Sequence, residues 1–328
     1  MIFSARIFAA AFALLLTMGL AAPTSSSAQS NYPNRPIKLI VTYSPGGGND
    51  LIARLFAQKM TETMGQSVVV ENRVGAGGTI GTNFVAKSAP DGYTIVLVSP
   101  PLVMAPTLYP NLPYDTLKDL TPISVIGSVP NMLVVNPSLP VKSVKDLIEF
   151  AHAKPAAVSA ATLGSATTQH LAAALFNFMS KSDILLVPYK GSAPGINDLL
   201  AGHVQMMFNA MPSTLPYVKA GQLRALGVTG DQRSSMAPDL PTIAESLPGY
   251  KIVTWYGILA PAGTPPAIVA RLNAEIAKIS QMPDIRQKLL DMGMDIEAST
   301  PAAFSALIKS EMTKWAEVMR VANVKADN

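Results

Sequence analysis

The sequence predicts an α/β protein with mainly parallel sheets, and three observations support this. Short β-branched apolar runs alternate with amphipathic helical stretches from Ile37 onward, which is the rhythm of βαβ units. Three turns rich in glycine and hydroxyl residues fall between a strand-like run and a helix-like one. The chain has 328 residues, 49% of them hydrophobic, which is more than one core usually serves, so two domains are expected.

The first residues read as a secretory signal. A short positive region ending at Arg6 precedes an apolar run over 7–16, and Ser26-Ser27-Ala28 forms a small-x-small site. Cleavage is expected before Gln29, with Ala22 the weaker choice, so 1–28 is the signal peptide. The run is shorter than the roughly 20 residues that span a bilayer. Its removal takes only Arg6 from the charge balance, lowering the formal net charge from +4 to +3. The remaining Lys and Arg are spread singly among 21 acids, without the basic stripe of a nucleic-acid partner. No cysteine is present, which excludes disulfides, thiolate metal sites and cysteine nucleophiles.

The elements follow in order. Residues 37–43 read as a strand, closed by Ser44-Pro45-Gly46-Gly47-Gly48; Leu51, Ile52, Leu55, Phe56 and Met60 then recur at helical spacing until Gly65. A strand over 67–71, the turn Gly75-Ala76-Gly77-Gly78 and a helix over 79–87 repeat the pattern, and Pro90-Asp91-Gly92 feeds a strand over 94–99. Two apolar runs, 123–126 and 132–135, flank Pro130-Asn131 and mark a crossing between domains. A second unit has a helix at 144–153, a strand at 157–161, a helix after Gly164, a strand at 185–188, a helix at 195–201, a strand at 205–208 and an apolar run at 223–228. Residues 253–259 return to the first domain, and 265–279 and 301–321 are amphipathic helices begun by proline. Residues 29–128 and 250–328 thus form a discontinuous domain 1 that embraces domain 2, 129–249. Most of the 16 methionines occupy apolar positions and read as core.

The strongest local feature is Ser44-Pro45-Gly46-Gly47-Gly48-Asn49-Asp50. Glycine lets the backbone approach a ligand closely, and the helix start presents unpaired N–H groups that suit an anion. Asn49 or Asp50 also reads as the N-cap, which is compatible with ligand contact. Open α/β sheets bind at the carboxyl ends of their strands. Gly75-Ala76-Gly77-Gly78-Thr79-Ile80-Gly81 is a second such start. Its GxGxxxG spacing after the second strand does not fit a dinucleotide fingerprint. The third, Thr162 to His170, offers Ser165, Thr167 and Thr168, which can bind carboxylate through exchangeable hydrogen bonds. His170 reads as a structural hydrogen-bonding residue before a ligand contact. Gly191-Ser192-Ala193-Pro194-Gly195 has the wrong spacing for a nucleophile elbow. His152, His170 and His203 are too dispersed for a metal cluster. No catalytic residues, cofactor or metal site are expected, and a secreted hydrolase lacks a nameable nucleophile and base.

Six segments carry a family likeness: Tyr32-Pro33-Asn34-Arg35-Pro36-Ile37, Pro45-Gly46-Gly47-Gly48-Asn49-Asp50, Val69-Val70-Glu71-Asn72-Arg73-Val74-Gly75-Ala76-Gly77-Gly78, Ala89-Pro90-Asp91-Gly92-Tyr93-Thr94, Val187-Pro188-Tyr189-Lys190-Gly191 and Ala260-Pro261-Ala262-Gly263-Thr264-Pro265. Through them the mature chain resembles the periplasmic receptors of tripartite tricarboxylate transporters, the Bug family. The resemblance implies a two-lobed periplasmic-binding-protein fold of the second topological type, each lobe a mainly parallel sheet flanked by helices, joined by two crossing segments. It implies a carboxylate held between the first two glycine loops, by Ser44, Gly47, Gly48, Asn49, Asp50, Gly77, Gly78 and Thr79 with Ser99 beside them. The second lobe would add Ser165, Thr167, Thr168, Ser192 and Asn209.

Asn49 stands where the family commonly has Thr, and Asn209, after Phe208, where it often has an acid. A neutral Asn209 favours a plain mono- or dicarboxylate over an amino acid. Lys190 is a candidate for charge compensation or for simple solvation, and Trp255 for reporting closure or for packing. The resemblance further implies docking to an integral-membrane permease, and a hinging receptor is expected to be a monomer. Service to a signalling kinase as a sensor is the alternative.

Overall fold

The computed structural model describes residues 31–163 and 167–321; the signal expected at 1–28, and Ser165, lie outside them. Among the described residues ten strands pair, eight along one path, β2-β1-β3-β9-β4-β7-β5-β6, with β8 and β10 off it on β4. They are β1 (Ile37–Val41), β2 (Val68–Asn72), β3 (Thr94–Val98), β4 (Leu120–Val135), β5 (Ser159–Leu163), β6 (Leu185–Tyr189), β7 (Met206–Ala210), β8 (Arg224–Val228), β9 (Val253–Pro261) and β10 (Asp295–Ile296). The helices are α1 (Gly48–Met64), α2 (Thr79–Ala86), α3 (Pro101–Leu108), α4 (Val144–Ala153), α5 (Thr168–Ser180), α6 (Ser192–Ala201), α7 (Met211–Lys219), α8 (Pro266–Ser280), α9 (Pro283–Asp291) and α10 (Pro301–Val321).

The path is two sheets sharing one strand, which gives the two lobes. β2, β1 and β3 run parallel in the first lobe, and β6, β5 and β7 in the second. β4 and β9 enter antiparallel, paired from Leu120↔Pro261 to Pro130↔Val253. β4 then continues without a break and pairs β7 from Asn131↔Ala210 onward. The two apolar runs around Pro130-Asn131 are therefore one 16-residue strand. A residue without an N–H is tolerated there because Pro130 sits where the strand leaves one set of partners for another.

Three apolar clusters follow from this layering. One covers the face of the first sheet under α1, α8 and α9, with Phe56, Met60, Leu272 and Leu289. Another fills the second lobe beneath α6 and α7, with Met207, Leu199 and Met211. A third runs from Ile40 and Val96 in the first lobe, past Trp255 and Phe304, to Phe176 and Phe208 in the second. With helices on both faces, strands such as β1 are nearly all buried and read as continuous apolar runs. Helices α3, α7 and α9 were not expected. Each has proline in its first turn, and α3 and α7 carry another inside, Pro106 and Pro216, which masks a helical pattern.

Candidate ligand-binding site

The first glycine loop leaves β1 at Val41 and enters α1 at Gly48, with Ser44 to Gly48 exposed. No side chain caps α1, so neither Asn49 nor Asp50 is its N-cap. Asp50 is buried at 2% exposure and its carboxylate holds the loop. Oδ2 accepts from the Gly46 N–H and from Arg54 Nε, both at 2.9 Å, and Oδ1 accepts from Asn72 Nδ2 at 2.9 Å. The Arg54 guanidinium is the main reason the Asp50 carboxyl lies down at about 2. Asn72 Nδ2 also donates to the Tyr43 carbonyl at 3.0 Å, pinning the loop to the end of β2. A carboxylate with three donors on it holds the loop in shape, and this is the role that its bonds give Asp50. Asn49 Oδ1 is buried and has no hydrogen-bond partner among the described residues.

The second loop is wound left-handed. Gly75, Ala76, Gly77 and Gly78 have φ of 128°, 45°, 62° and 96°, a run that glycine tolerates and other residues resist. It delivers the chain to Thr79, the buried first residue of α2. Thr82 Oγ1 donates back to the Gly78 carbonyl at 2.9 Å. Beside the second loop lies a small cavity of about 10 Å³, lined among others by Thr42, Tyr43, Gly77, Gly78, Ser99 and Tyr114. That is room for about one water molecule, at the carboxyl ends of β1 and β3.

Tyrosines, which the sequence reading did not single out, frame these loops. The Tyr43 hydroxyl donates to the Gly77 carbonyl at 3.3 Å. Tyr114 lines the same cavity as Thr82. A Cβ on Gly77 would stand 3.0 Å from the Tyr109 hydroxyl, and one on Gly48 2.9 Å from the Tyr256 hydroxyl. Burial pushes the Tyr43 and Tyr256 phenols up to about 12, so both stay protonated donors. The nearby cations are already paired. Arg54 holds Asp50, and Arg73 pairs with Glu71 at 2.6 Å while its guanidinium lies 3.6 Å over the Phe84 ring. An anion here meets neutral N–H and O–H donors.

In the second lobe Thr167 caps α5, its hydroxyl accepting from the His170 N–H at 3.2 Å and donating to the Leu163 carbonyl at 3.1 Å. Thr168 shares a 2.9 Å hydrogen bond with the Thr254 hydroxyl on β9 and lies 3.5 Å from Asn131 Nδ2 on β4, so the start of α5 is tied to both crossing strands. Ser192 Oγ donates to Asn209 Oδ1 at 2.9 Å, while Asn209 Nδ2 donates to Ser213 Oγ at 3.2 Å and Thr214 Oγ1 at 3.0 Å. Asn209 is only 1% exposed. Both N–H groups of its amide are used and its Oδ1 accepts from Ser192, so it positions Ser192. His170 Nδ1 lies 3.2 Å from Thr162 Oγ1, a structural bond. Lys190 is exposed and has no ion pair among the described residues. Trp255 is buried against the Phe304 ring, centroids 5.5 Å apart, which fits packing.

A scan against family models matches residues 52–324 to the tripartite tricarboxylate transporter family receptor. The chain belongs to this family. BugT of Bordetella pertussis is 39% identical over 323 residues, covering 98% of each chain. The R. palustris protein Rpa4515, solved with adipate, is 37% identical with a TM-score of 0.70, covering 90% of this chain and 99% of that one. A TctC solute-binding protein from Polaromonas, solved with no ligand, is 30% identical with a TM-score of 0.80, covering 88% and 99%.

The family is one of periplasmic solute-binding receptors and not of enzymes. The receptor's described residues contain no group of three or more His, Cys, Asp or Glu able to hold a metal and no helix long and apolar enough to cross a membrane. Of the expected contacts, Ser44, Gly47, Gly48, Gly77, Gly78, Thr79 and Ser99 gather around one loop pair, with Thr167, Thr168 and Ser192 on the facing lobe. A wider groove of about 690 Å³ lies elsewhere on the second lobe, between α7 and residues 236–240, and includes none of them.

Proposed function

We propose that this receptor captures a small organic carboxylate, mono- or dicarboxylic, in the cleft between its lobes and hands it to the integral-membrane permease of a tripartite transporter. The observation that carries the reading is the pair of glycine loops at the carboxyl ends of β1 and β2, the second of them bordering a small hydroxyl-lined cavity, with Arg54 and Arg73 beside them already paired. Such a site binds a carboxylate by directional, exchangeable bonds and lets it go, as a delivery protein requires. The adipate on the R. palustris relative supports the ligand class.

The proposed lobes are 29–128 with 250–328, and 129–249, turning about β4 and β9. The first holds the carboxylate with Ser44, Gly47, Gly48, Gly77, Gly78, Thr79 and Ser99, and Tyr43 and Tyr256 shape the loops. The second closes with Thr167, Thr168 and Ser192. A closed form that makes both sets of contacts is favoured by ligand. The receptor works in the periplasm as a monomer. Thermal unfolding of mature protein, refolded to strip carried ligand, is to be read against organic acids, amino acids and sugars. A midpoint raised by a carboxylate supports the reading, because a ligand specific to the native state stabilises it. A shift with sugars or amino acids alone overturns it.

A further inference from the structure

The lobes also meet away from the glycine loops. Gly293, with φ of +78°, lies between α9 and β10 in the first lobe, and a Cβ there would stand 2.9 Å from Pro212 Cγ and 3.1 Å from Met236 Sδ, both second-lobe atoms. Two residues on, Asp295 Oδ1 accepts from the Ser235 backbone N–H at 3.2 Å and from the Ser235 hydroxyl at 3.0 Å. Pro212 opens α7, and Ser235 and Met236 lie in the segment after β8.

This contact is built differently from the crossing strands beside it. β4 and β9 join the lobes by continuous backbone, whereas Gly293 and Asp295 touch the second lobe only through packing and two hydrogen bonds. Such bonds are lost once donor and acceptor part to about 3.6 Å or the angle falls below about 120°. A swing about β4 and β9 therefore bends the crossing strands but breaks the Asp295–Ser235 bonds and moves Pro212 and Met236 off Gly293.

We infer that Gly293 and Asp295, seated on Pro212, Ser235 and Met236, form a latch that holds the lobes at this angle and sets ligand affinity without touching ligand. They are positioning residues for capture, and the inference rests on the capture reading above. Ligand must break the latch to close the cleft, and apparent affinity falls with the fraction of receptor able to close.

The test uses the absence of cysteine in this chain. Spin labels on Lys87→Cys in the first lobe and Gln222→Cys in the second, both at exposed positions, report the distance between lobes by electron–electron resonance. With Asp295→Ala, the unliganded distance distribution is expected to shift or broaden. By calorimetry, the acid that stabilises wild type most should bind about threefold to tenfold more tightly. Ser235→Ala, on an exposed segment, acts in the same direction and guards against a folding defect in the first variant. Unchanged distances, or affinity that is unchanged or reduced in both variants, overturn the latch. If wild type binds no acid, the carboxylate reading fails, and the distances alone decide the latch.

Discussion

The hydroxyl of Tyr256, on a crossing strand, occupies the space that a side chain on Gly48 would need, 2.9 Å from the position of its Cβ. The first residue of α1 is thus gauged by a residue on the hinge. Gly48 is not among the positive-φ residues, so what forbids a larger residue there is space and not backbone conformation.

Gly48→Ala is expected to push the start of α1 off its position and weaken carboxylate binding about tenfold, with roughly 1 kcal/mol lost in stability. Only the Tyr256 hydroxyl is too close, since the ring carbon bearing it is 3.6 Å away. Gly48→Ala combined with Tyr256→Phe should therefore recover most of the affinity in calorimetry. Failure of the double variant to recover would place the fault in the loop itself.

Asp50 gives the receptor an acid-sensitive loop. Its folded carboxyl, at about 2, lies below the ordinary 3.8, so its contribution to stability is full above the ordinary value and is lost as pH falls from about 4 toward 2. Thermal midpoints of wild type should fall through that window more steeply than those of Asp50→Asn. At neutral pH the variant should be less stable by about 1–3 kcal/mol.

At Asn209 one amide bonds to three hydroxyls at once. The Ser213 and Thr214 hydroxyls that accept from its N–H groups donate their own protons to the Ala210 carbonyl. A carboxylate at 209 would bond to them only after these hydroxyls turn their protons away from Ala210. Asn209→Asp should lose about 1 kcal/mol in urea unfolding, and Asn209→Ala should lower affinity by freeing Ser192.

Thr168→Val removes the hydroxyl that joins α5 to Thr254 while keeping the branched shape. A stability loss of about 1 kcal/mol is expected. Faster amide hydrogen exchange at the start of α5 would confirm that the bond restrains the lobe, and unchanged exchange there would show that it does not.

Much of this was readable from the chain. Most strands were, because five-residue apolar runs between glycine and proline turns have few other homes, whereas the two residues of β10 carry no such pattern. So were the two glycine loops, because a run such as Gly75 to Gly78 is needed only where the backbone turns left-handed. Proline in the first turns of α3, α7 and α9 concealed those helices, and Pro130 split β4 on paper although the strand merely changes partners there. The tyrosines were invisible for a different reason. Tyr109 and Tyr256 matter through contacts with Gly77 and Gly48, and no local pattern encodes proximity between residues so distant in sequence. The hydrogen bonds of Asn209 were equally hidden, because they depend on Ser192, Ser213 and Thr214 arriving together.

The apolar cluster that runs from Ile40 past Trp255 to Phe208 bears on how this molecule comes apart. Each lobe has a private core on its outer face, yet both draw on this common interior and on one strand, β4. Melting either lobe strips packing from the other, so heating should give a single calorimetric transition with matching van't Hoff and measured enthalpies. A fragment of residues 129–249 made alone would expose one side of that interior, and would collect in aggregates where the intact chain stays dissolved.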